Sequence, residues 1–277
     1  MPTEHSFAET PMKIEANGIR INVRDQGRGS PALVFLHYWG GSCRTWEEVI
    51  ARLPDYRSVA IDHRGWGESD APSNGYAIAD LADDAQAVIA ALDLQNYVLV
   101  GHSMGGKTAQ LLASRRPSGL VGLVLVAPSP PSPTILPEEQ RDAQLHAYDT
   151  PESVAFVRDH ILTARTLSDA QKERVVEDSL RGARAAKLAW PTQAIQEDIR
   201  SEVARIKVPT LVIAGESDQV DPISRLREEL LPRISGSRLQ SLPGVGHLAM
   251  LEAPDSVARA IQEFVESEIG SPNKTRV

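Results

Sequence analysis

Residues 97–106 read Tyr-Val-Leu-Val-Gly-His-Ser-Met-Gly-Gly, and this stretch decides the fold. The apolar run 97–100 is typical of a strand buried on both faces, and a helical pattern follows over residues 104–115. The segment 101–105 between them fits the G-x-S-x-G pattern, in which a sharp turn from strand to helix carries a strained serine. Because the residues two positions before and after Ser103 are glycines, the chain can turn that tightly. This context predicts a nucleophilic serine.

The alternation of apolar runs and helical patterns extends in both directions from this stretch. A hairpin is predicted from Lys13 to Arg24, with Asn17-Gly18 as its turn. Short runs rich in Val, Ile and Leu predict further buried strands at 32–36, 58–61, 120–126 and 210–214. Helical patterns predict helices at 45–53, 78–92, 224–234 and 254–269. Strands that alternate with helices predict an α/β protein with a doubly wound, mostly parallel sheet.

One long segment interrupts this alternation. Residues 131–203 show no strand pattern, only charged helical segments separated by prolines. A connection of this length is far longer than those that usually join two buried strands. We therefore predict a helical cap inserted over the carboxyl edge of the sheet, where open α/β sheets bind ligands. The predicted domains are a core of residues 1–130 and 204–277 and a cap of residues 131–203.

The composition excludes several classes of function. The 277 residues include 29 Lys and Arg against 37 Asp and Glu, which gives a formal net charge of −8. An acidic chain without a long basic run argues against a nucleic acid or an anionic membrane as partner. The single cysteine, Cys43, excludes an internal disulfide and fits a reducing compartment. No secretory signal pattern and no membrane-spanning run is found, so we expect a cytoplasmic protein.

The expected chemistry needs no cofactor. No spacing of His, Asp and Glu indicates a metal site, and Gly40-Gly41-Ser42 lacks the lysine of a phosphate-binding loop. We therefore expect neither a metal nor an organic cofactor, and a small molecule as the partner. The sequence leaves the oligomeric state open.

A nucleophilic serine requires a base that is oriented by an acid. The segment after the strand at 210–214 offers three acids, Glu216, Asp218 and Asp221. His247 lies further on, directly after a glycine. The chain order serine, acid, histidine is that of α/β-hydrolases and differs from the orders of the other two well-known serine triads. These residues predict a serine hydrolase triad with Ser103 as nucleophile and His247 as base.

Taken together, the motifs resemble the α/β-hydrolases, and in particular their cap-bearing, esterase-like group, over nearly the whole chain. The segments that carry the resemblance are Leu36-His37, Asp62 to Ser69, Gly101 to Gly106, Gly215 to Pro222, and Gly246-His247 with Glu252 and Pro254. The resemblance implies that Asp218 is the acid, with Asp221 as the alternative, because the family acid lies three residues after the glycine and four before the proline. It also implies a structural role for the turn from Asp62 to Ser69.

The resemblance also implies where an oxyanion hole lies. Two backbone N–H groups are needed, and the first belongs to Met104, directly after the nucleophile. The second belongs to Tyr38, where most relatives have glycine. The Tyr38 ring either presents its hydroxyl to the pocket or packs beneath the cap. The neighbouring His37 is expected to brace this loop, and His102 to form structural hydrogen bonds.

Aromatic residues make up only 5% of the chain, and several fall near the predicted cleft. Trp39 follows Tyr38, while Tyr148 and Trp190 lie in the predicted cap. Large apolar rings with few polar atoms are typical of small-molecule pockets. We therefore expect Trp39, Tyr148 and Trp190 to bind substrate in a small apolar pocket; for Tyr148 and Trp190, packing within the cap is the alternative.

The predicted activity is hydrolysis of small carboxylic esters through an acyl-enzyme intermediate. Serine at the nucleophile position argues against relatives that use aspartate there, such as haloalkane dehalogenases and epoxide hydrolases. Lactonase and carbon–carbon bond hydrolase activities remain alternatives, as does a non-enzymatic ligand sensor that retains the triad. Trp39, two residues after the loop histidine, also gives a partial resemblance to cofactor-free perhydrolases, once called non-haem haloperoxidases.

Overall fold

The computed structural model describes residues 10–270, and the two chain ends are outside this range. The expectation that no secretory signal opens the chain therefore lies outside the described residues. The described strands are β1 (Thr10–Ala16), β2 (Ile19–Gln26), β3 (Ala32–Leu36), β4 (Ser58–Ile61), β5 (Tyr97–His102), β6 (Leu120–Val126), β7 (Thr210–Gly215) and β8 (Arg238–Leu242).

These strands form one eight-stranded sheet in the order β1-β2-β4-β3-β5-β6-β7-β8. Pairing is antiparallel between β1 and β2 and between β2 and β4, and parallel from β4 across to β8. The hairpin turn lies at Asn17 and Gly18, with φ of 51° and 79°, as the Asn-Gly pair predicts. The predicted doubly wound, mostly parallel sheet is confirmed.

Eleven α-helices are found within residues 10–270. They are α1 (Glu47–Ile50), α2 (Ile78–Ala91), α3 (Met104–Ser114), α4 (Glu138–Leu145), α5 (Pro151–Val157), α6 (Asp169–Arg181), α7 (Arg184–Thr192), α8 (Arg200–Val203), α9 (Ile223–Glu229), α10 (Ala249–Glu252) and α11 (Pro254–Phe264). Shorter 3₁₀ or π turns occupy Cys43–Trp46, Arg158–Leu162, Ala194–Gln196, Leu231–Arg233 and Val265–Ile269. Each predicted helix outside the cap is present, although one begins and two end in such a turn. None of the described helices is both long and apolar enough to cross a membrane.

The core lies around the central strands. All residues of β3 and β5 are buried, because helices cover the sheet; α3 packs on β5, and α11 on β7. Every residue of α3 is buried as well, including Lys107, Thr108 and Gln110. The turn that carries Ser103 is therefore held between two elements with no exposed face.

The segment 131–203, the cap segment below, carries helices and no strand, as its sequence pattern predicts. It contacts loops at the carboxyl ends of the strands at several points. The Ala183 N–H donates to the carbonyl oxygen of Gly65 at 2.8 Å, and the Leu162 carbonyl accepts from the N–H groups of His247 and Leu248 at 2.9 and 3.0 Å. The domain boundaries themselves stay a prediction.

Candidate active site

Ser103 lies at the junction of β5 and α3 in a strained conformation. Its φ is 51° and its ψ is −115°, outside the common regions for a residue with a side chain. The turn is tight, because a Cβ placed on Gly101 would lie 2.4 Å from the carbonyl oxygen of Gly105. Such strain is of the order of 1–3 kcal/mol and persists only where the surrounding structure enforces it. The geometry fits the sharp strand-to-helix turn that the G-x-S-x-G pattern predicts.

His247 and Asp218 form a buried pair. The His247 Nδ1 lies 2.8 Å from Asp218 Oδ2, and the side chains are 2% and 0% exposed. The other carboxylate oxygen, Oδ1, accepts from the backbone N–H groups of Val220 at 2.8 Å and Asp221 at 3.1 Å. Because the carboxylate accepts at Nδ1, the neutral imidazole has its lone pair at Nε2, the nitrogen with which a general base acts.

The charges of this pair stabilise each other. Burial opposes protonation of His247, but the charge and hydrogen bond of Asp218, aided by Asp221 and Glu252, raise the histidine pKa above its ordinary value. Burial also opposes ionisation of Asp218, yet His247 and the two backbone N–H groups lower the pKa of this carboxyl. The site therefore favours an ionised acid beside an imidazole that readily takes up a proton.

The other two acids of this segment lie elsewhere. Glu216 is exposed and accepts from the Ser241 hydroxyl at 2.8 Å. Asp221 is buried, and its Oδ1 lies 3.4 Å from Arg225 Nη1. Burial raises the pKa of Asp221 to about 7, with His247 and Arg225 opposing and Asp218 adding to the rise. The imidazole hydrogen bond goes to Asp218, the residue that the sequence pattern favours.

The loop after β3 lies directly against the start of α3. A Cβ on Gly105 would lie 2.5 Å from the carbonyl oxygens of both Leu36 and His37. The Met104 N–H is in the first turn of α3, where N–H groups have no acceptor within the helix. Within residues 10–270, the Tyr38 N–H donates to no other protein group. Two free backbone donors therefore lie on adjoining segments, as an oxyanion hole requires.

His37 braces this loop from inside. Its Nδ1 donates to the Tyr38 carbonyl oxygen at 2.7 Å, and its Nε2 accepts from the His63 N–H at 3.0 Å. Burial lowers the His37 pKa, against the effects of Asp62 and the Tyr38 carbonyl, so the ring stays neutral. The neutral tautomer with hydrogen on Nδ1 satisfies both bonds at once.

The Tyr38 ring packs between the loop and the cap segment. Its centroid lies 5.1 Å from that of His102, and the residue is only 3% exposed. Burial raises the Tyr38 pKa, Asp178 of the cap segment adds to the rise, and a hydrogen bond with Ser179 lowers it. The influence of Asp178 and Ser179, both in α6, agrees with a ring that packs beneath the cap.

Two of the predicted substrate-binding rings contact each other. The centroids of Trp39 and Tyr148 are 4.2 Å apart, and the Tyr148 hydroxyl donates to the Trp39 carbonyl oxygen at 2.9 Å. The Trp39 indole N–H donates to the Lys187 carbonyl oxygen at 3.1 Å. Trp190 is 6% exposed in the same helix as Lys187. The structure brings Trp39 and Tyr148 together, and substrate contact by all three rings stays a prediction.

The polar side chains in the turn from Asp62 to Ser69 form hydrogen bonds with other groups of the protein. Asp62 accepts from the N–H groups of Cys43 at 2.6 Å and Glu68 at 2.9 Å. Arg64 forms a double hydrogen bond with Asp84, with both N–O distances at 2.6 Å. These bonds agree with the expected structural role of the turn. Among residues 10–270, no group of three or more His, Cys, Asp or Glu side chains is placed to hold a metal.

Two acids near the site have bonds that the sequence did not predict: Asp178, which gave no signal, and Glu252, which entered only as part of the family resemblance. Asp178 of α6 accepts from the Ser42 hydroxyl at 2.8 Å, and Glu252 accepts from the N–H groups of Gly246 at 3.1 Å and Ala164 at 2.8 Å. Charged residues on a cap helix usually lie on a solvated face, so the pattern around Asp178 gave no signal. For Glu252, its position six residues after Gly246 was the available signal.

The site thus combines a strained serine, a buried histidine–carboxylate pair and adjoining backbone donors on a mostly parallel α/β sheet. A family model described as "Alpha/beta hydrolase family" matches residues 33–260. The chain therefore belongs to the alpha/beta hydrolase family, as its sequence motifs imply.

Relatives with several described activities resemble the chain along almost its whole length. The AB hydrolase superfamily protein YisY of Bacillus subtilis is 30% identical over 90% of this chain and 96% of its own. A putative non-heme chloroperoxidase of Synechocystis is also 30% identical, over 90% of this chain and 95% of its own. The solved structure of an esterase from Exiguobacterium antarcticum has a TM-score of 0.85 and 28% identity, covering 93% of this chain and 100% of that one.

Proposed function

We propose that the protein is a serine hydrolase that cleaves small carboxylic esters through an acyl-enzyme intermediate. The observation that carries this proposal is the strained Ser103 at the start of α3, in a chain whose His247 is hydrogen-bonded to a buried Asp218. The similarity to a solved esterase over 93% of the chain supports it. Nucleophile, base and acid have these same roles in serine hydrolases on several unrelated folds.

In the proposed mechanism, His247 Nε2 takes the proton of the Ser103 hydroxyl while the serine oxygen attacks the ester carbonyl. The carbonyl oxygen becomes negative and is stabilised by the N–H groups of Tyr38 and Met104. Asp218 stabilises the imidazolium, whose proton then passes to the departing alcohol. Water attacks the acyl-enzyme, His247 takes its proton, and the acid leaves as Ser103 recovers its hydrogen.

The surroundings of Ser103 favour a small, largely apolar acyl group. Ser103 is 7% exposed, and the neighbouring rings Tyr38 and Trp39 are 3% and 8% exposed. Trp39, Tyr148 and Trp190 are the proposed pocket residues, each less than 10% exposed. The single cysteine, Cys43, is free and buried, in agreement with the proposed cytoplasmic site of action.

Perhydrolysis is the second candidate function. Trp39 stands two residues after His37, the position that gave the partial resemblance to cofactor-free perhydrolases. The relative described as a putative non-heme chloroperoxidase supports this candidate. In that reaction hydrogen peroxide replaces water in releasing the acyl group, so Ser103, His247 and Asp218 keep their roles. Lactonase activity is supported by the similarity to a solved structure described as an N-acyl homoserine lactone degrading enzyme, which is 27% identical over 92% of this chain with a TM-score of 0.79. The carbon–carbon bond hydrolase and ligand-sensor functions stay alternatives from the sequence.

The proposal is tested with the purified protein and its Ser103→Ala variant. We expect turnover of p-nitrophenyl acetate or butyrate by the wild type and none above background by the variant; equal activity of the two proteins would overturn the proposal.

A panel of short, long, aryl and lactone esters then defines the substrate class. Peracid formation from acetate and hydrogen peroxide, compared with ester hydrolysis, separates the two candidate functions. Labelling of Ser103 without steady turnover of any ester would indicate a sensor.

A further inference from the structure

We propose that Asp178 of the cap segment is a positioning residue for the oxyanion hole, which it holds in place through Ser42. The inference rests on the proposed function, in which the Tyr38 N–H stabilises the oxyanion. The oxyanion loop is defined here as residues 37–44. The cap segment is thereby part of the apparatus that stabilises the transition state, in addition to any contact it makes with substrate.

Three successive carbonyl groups of the oxyanion loop accept hydrogen bonds. The Tyr38 carbonyl accepts from His37 on the core side. The Trp39 carbonyl accepts from the Tyr148 hydroxyl, and the Gly40 carbonyl accepts from the Ser179 hydroxyl at 2.9 Å in each case. Two of these three side-chain donors belong to the cap segment. Because each bond fixes a peptide plane, the orientation of this backbone depends on the cap as well as on the core.

Asp178 fixes the second half of the loop. Its Oδ2 accepts from the Ser42 hydroxyl at 2.8 Å, and its Oδ1 accepts from Arg44 Nε at 3.0 Å and from a second nitrogen of the same guanidinium. The Asp178 side chain is only 4% exposed. A buried carboxylate that accepts several charge-assisted bonds is held in one position more firmly than a surface ion pair.

The core holds the same part of the loop through Asp62. Between Ser42 and Arg44, the Cys43 N–H donates to Asp62 Oδ1 at 2.6 Å. Three consecutive residues of the loop are therefore held from two sides. Asp62 of the core binds Cys43, and Asp178 of the cap segment binds Ser42 and Arg44. The Ser42 hydroxyl also accepts from the Arg44 N–H at 3.1 Å, so its orientation is coupled to the helical turn that follows.

Loss of the Asp178 bonds removes the cap-side support of Ser42 and Arg44 and allows the preceding backbone, including the Tyr38 N–H, to shift. A donor aimed at the oxyanion acts in the transition state and contributes little to substrate binding in the ground state. Errors of position near 1 Å in such groups lower rates by about 100-fold. The expected signature is therefore a fall in kcat with little change in KM.

Glu177 provides a matched control. Glu177 directly precedes Asp178 on α6, and its side chain is 55% exposed. Its Oε2 lies 3.0 Å from Arg44 Nη2. Glu177→Gln removes a charge from the same arginine without touching Ser42. A role of these acids in general cap stability or net charge predicts similar effects of Glu177→Gln and Asp178→Asn, whereas positioning through Ser42 predicts an effect of Asp178→Asn alone.

The experiment compares wild type, Asp178→Asn, Glu177→Gln and Ser42→Ala in ester hydrolysis and in the rate of Ser103 labelling by a fluorophosphonate. We expect Asp178→Asn and Ser42→Ala to lower kcat and the labelling rate by about 10–100-fold with KM changed by less than about two-fold. Glu177→Gln should stay within about two-fold of wild type. Because the phosphonyl oxygen uses the same donors, labelling tests positioning even if no ester is a substrate.

The outcomes separate the two proposals. Wild-type labelling without ester turnover overturns the substrate class while the labelling rates still test Asp178. Equal kcat and labelling rates in wild type and a folded Asp178→Asn variant overturn the positioning role. If Asp178→Asn does not fold, the positioning role is tested with Ser42→Ala. This variant removes the bond between Ser42 and Asp178 and leaves the carboxylate paired with Arg44. Unchanged rates in Ser42→Ala then overturn the role.

Discussion

Nε2 of His102 donates a hydrogen bond to the backbone carbonyl oxygen of His247 at 2.9 Å. The residue before the proposed nucleophile, Ser103, thus holds the backbone of the proposed base, His247. Burial lowers the His102 pKa well below its ordinary value, and the charge of His247 adds to this, so the ring remains neutral when His247 is protonated. A carbonyl oxygen can only accept, which fixes the hydrogen of His102 on Nε2.

Replacing His102 by phenylalanine is expected to lower kcat by about 10–100-fold, because the base loses its link to the nucleophile strand. The carbonyl left without its partner also lowers the free energy of unfolding by about 1–3 kcal/mol. Steady-state kinetics and denaturant unfolding measure the two effects. A variant with wild-type kcat would show that the other contacts of His247 suffice to place it.

The acid is tested by two matched variants in the same segment. Asp218→Asn is expected to lower kcat by about 10³–10⁴-fold, since the amide neither stabilises the imidazolium nor selects the productive tautomer. Asp221→Asn should keep kcat within about 10-fold of wild type, because the Nδ1 bond goes to Asp218. The assignment is wrong if Asp221→Asn proves the more damaging change at pH 8.

Asp221 also makes stability depend on pH. Its pKa is about 7 in the folded protein against roughly 3.9 for an unfolded chain. Between these values the unfolded state releases a proton that the folded state retains, so the free energy of unfolding falls as pH rises from about 4 to 7.

Asp221→Asn removes this dependence. The variant should therefore exceed wild type in stability above pH 7, by at most about 4 kcal/mol, and the difference should shrink toward pH 4. Urea unfolding of both proteins at several pH values measures it. A difference that is constant with pH would mean that Asp221 titrates normally in the folded protein.

Arg64 tests the structural role of the turn from Asp62 to Ser69. Arg64 and Asp84 are 8% and 3% exposed, so Arg64→Met leaves a buried carboxylate with Asn17 as its remaining side-chain partner. Because breaking one side of a buried ion pair is costly, we expect a loss of about 3 kcal/mol in unfolding free energy. The kcat of the folded variant should stay within about two-fold of wild type. A fall in kcat without a fall in stability would instead assign Arg64 to catalysis.

Much of the sheet is readable from the sequence, because its strands are buried on both faces and appear as short runs of Val, Ile and Leu. β8 is harder to find: Arg238–Leu242 lies at the sheet edge, and four of its five residues are not buried. The ends of helices are also hard to predict. The helical pattern runs from Pro254 to Ile269, but α11 ends at Phe264 and a π turn continues from Val265.

The candidate site, too, could be predicted only in part from the sequence. Ser103 and His247 are identified by local glycine patterns that a tight turn or loop requires. Asp178 carries no such signal, because its partner Ser42 is 136 residues away and only the fold brings them together. The direction of the Tyr38 ring was open for the same reason, since it depends on contacts with α6.

The chemistry at Ser103 is tested most directly by trapping the covalent intermediate. The protein is mixed with p-nitrophenyl butyrate, quenched with acid during turnover, digested, and its peptides are identified by mass spectrometry. We expect a butyryl group on Ser103 in the wild type, and none on the same peptide of the Ser103→Ala variant. Steady turnover with no acyl group on Ser103, and equal turnover by Ser103→Ala, would contradict the acyl-enzyme mechanism.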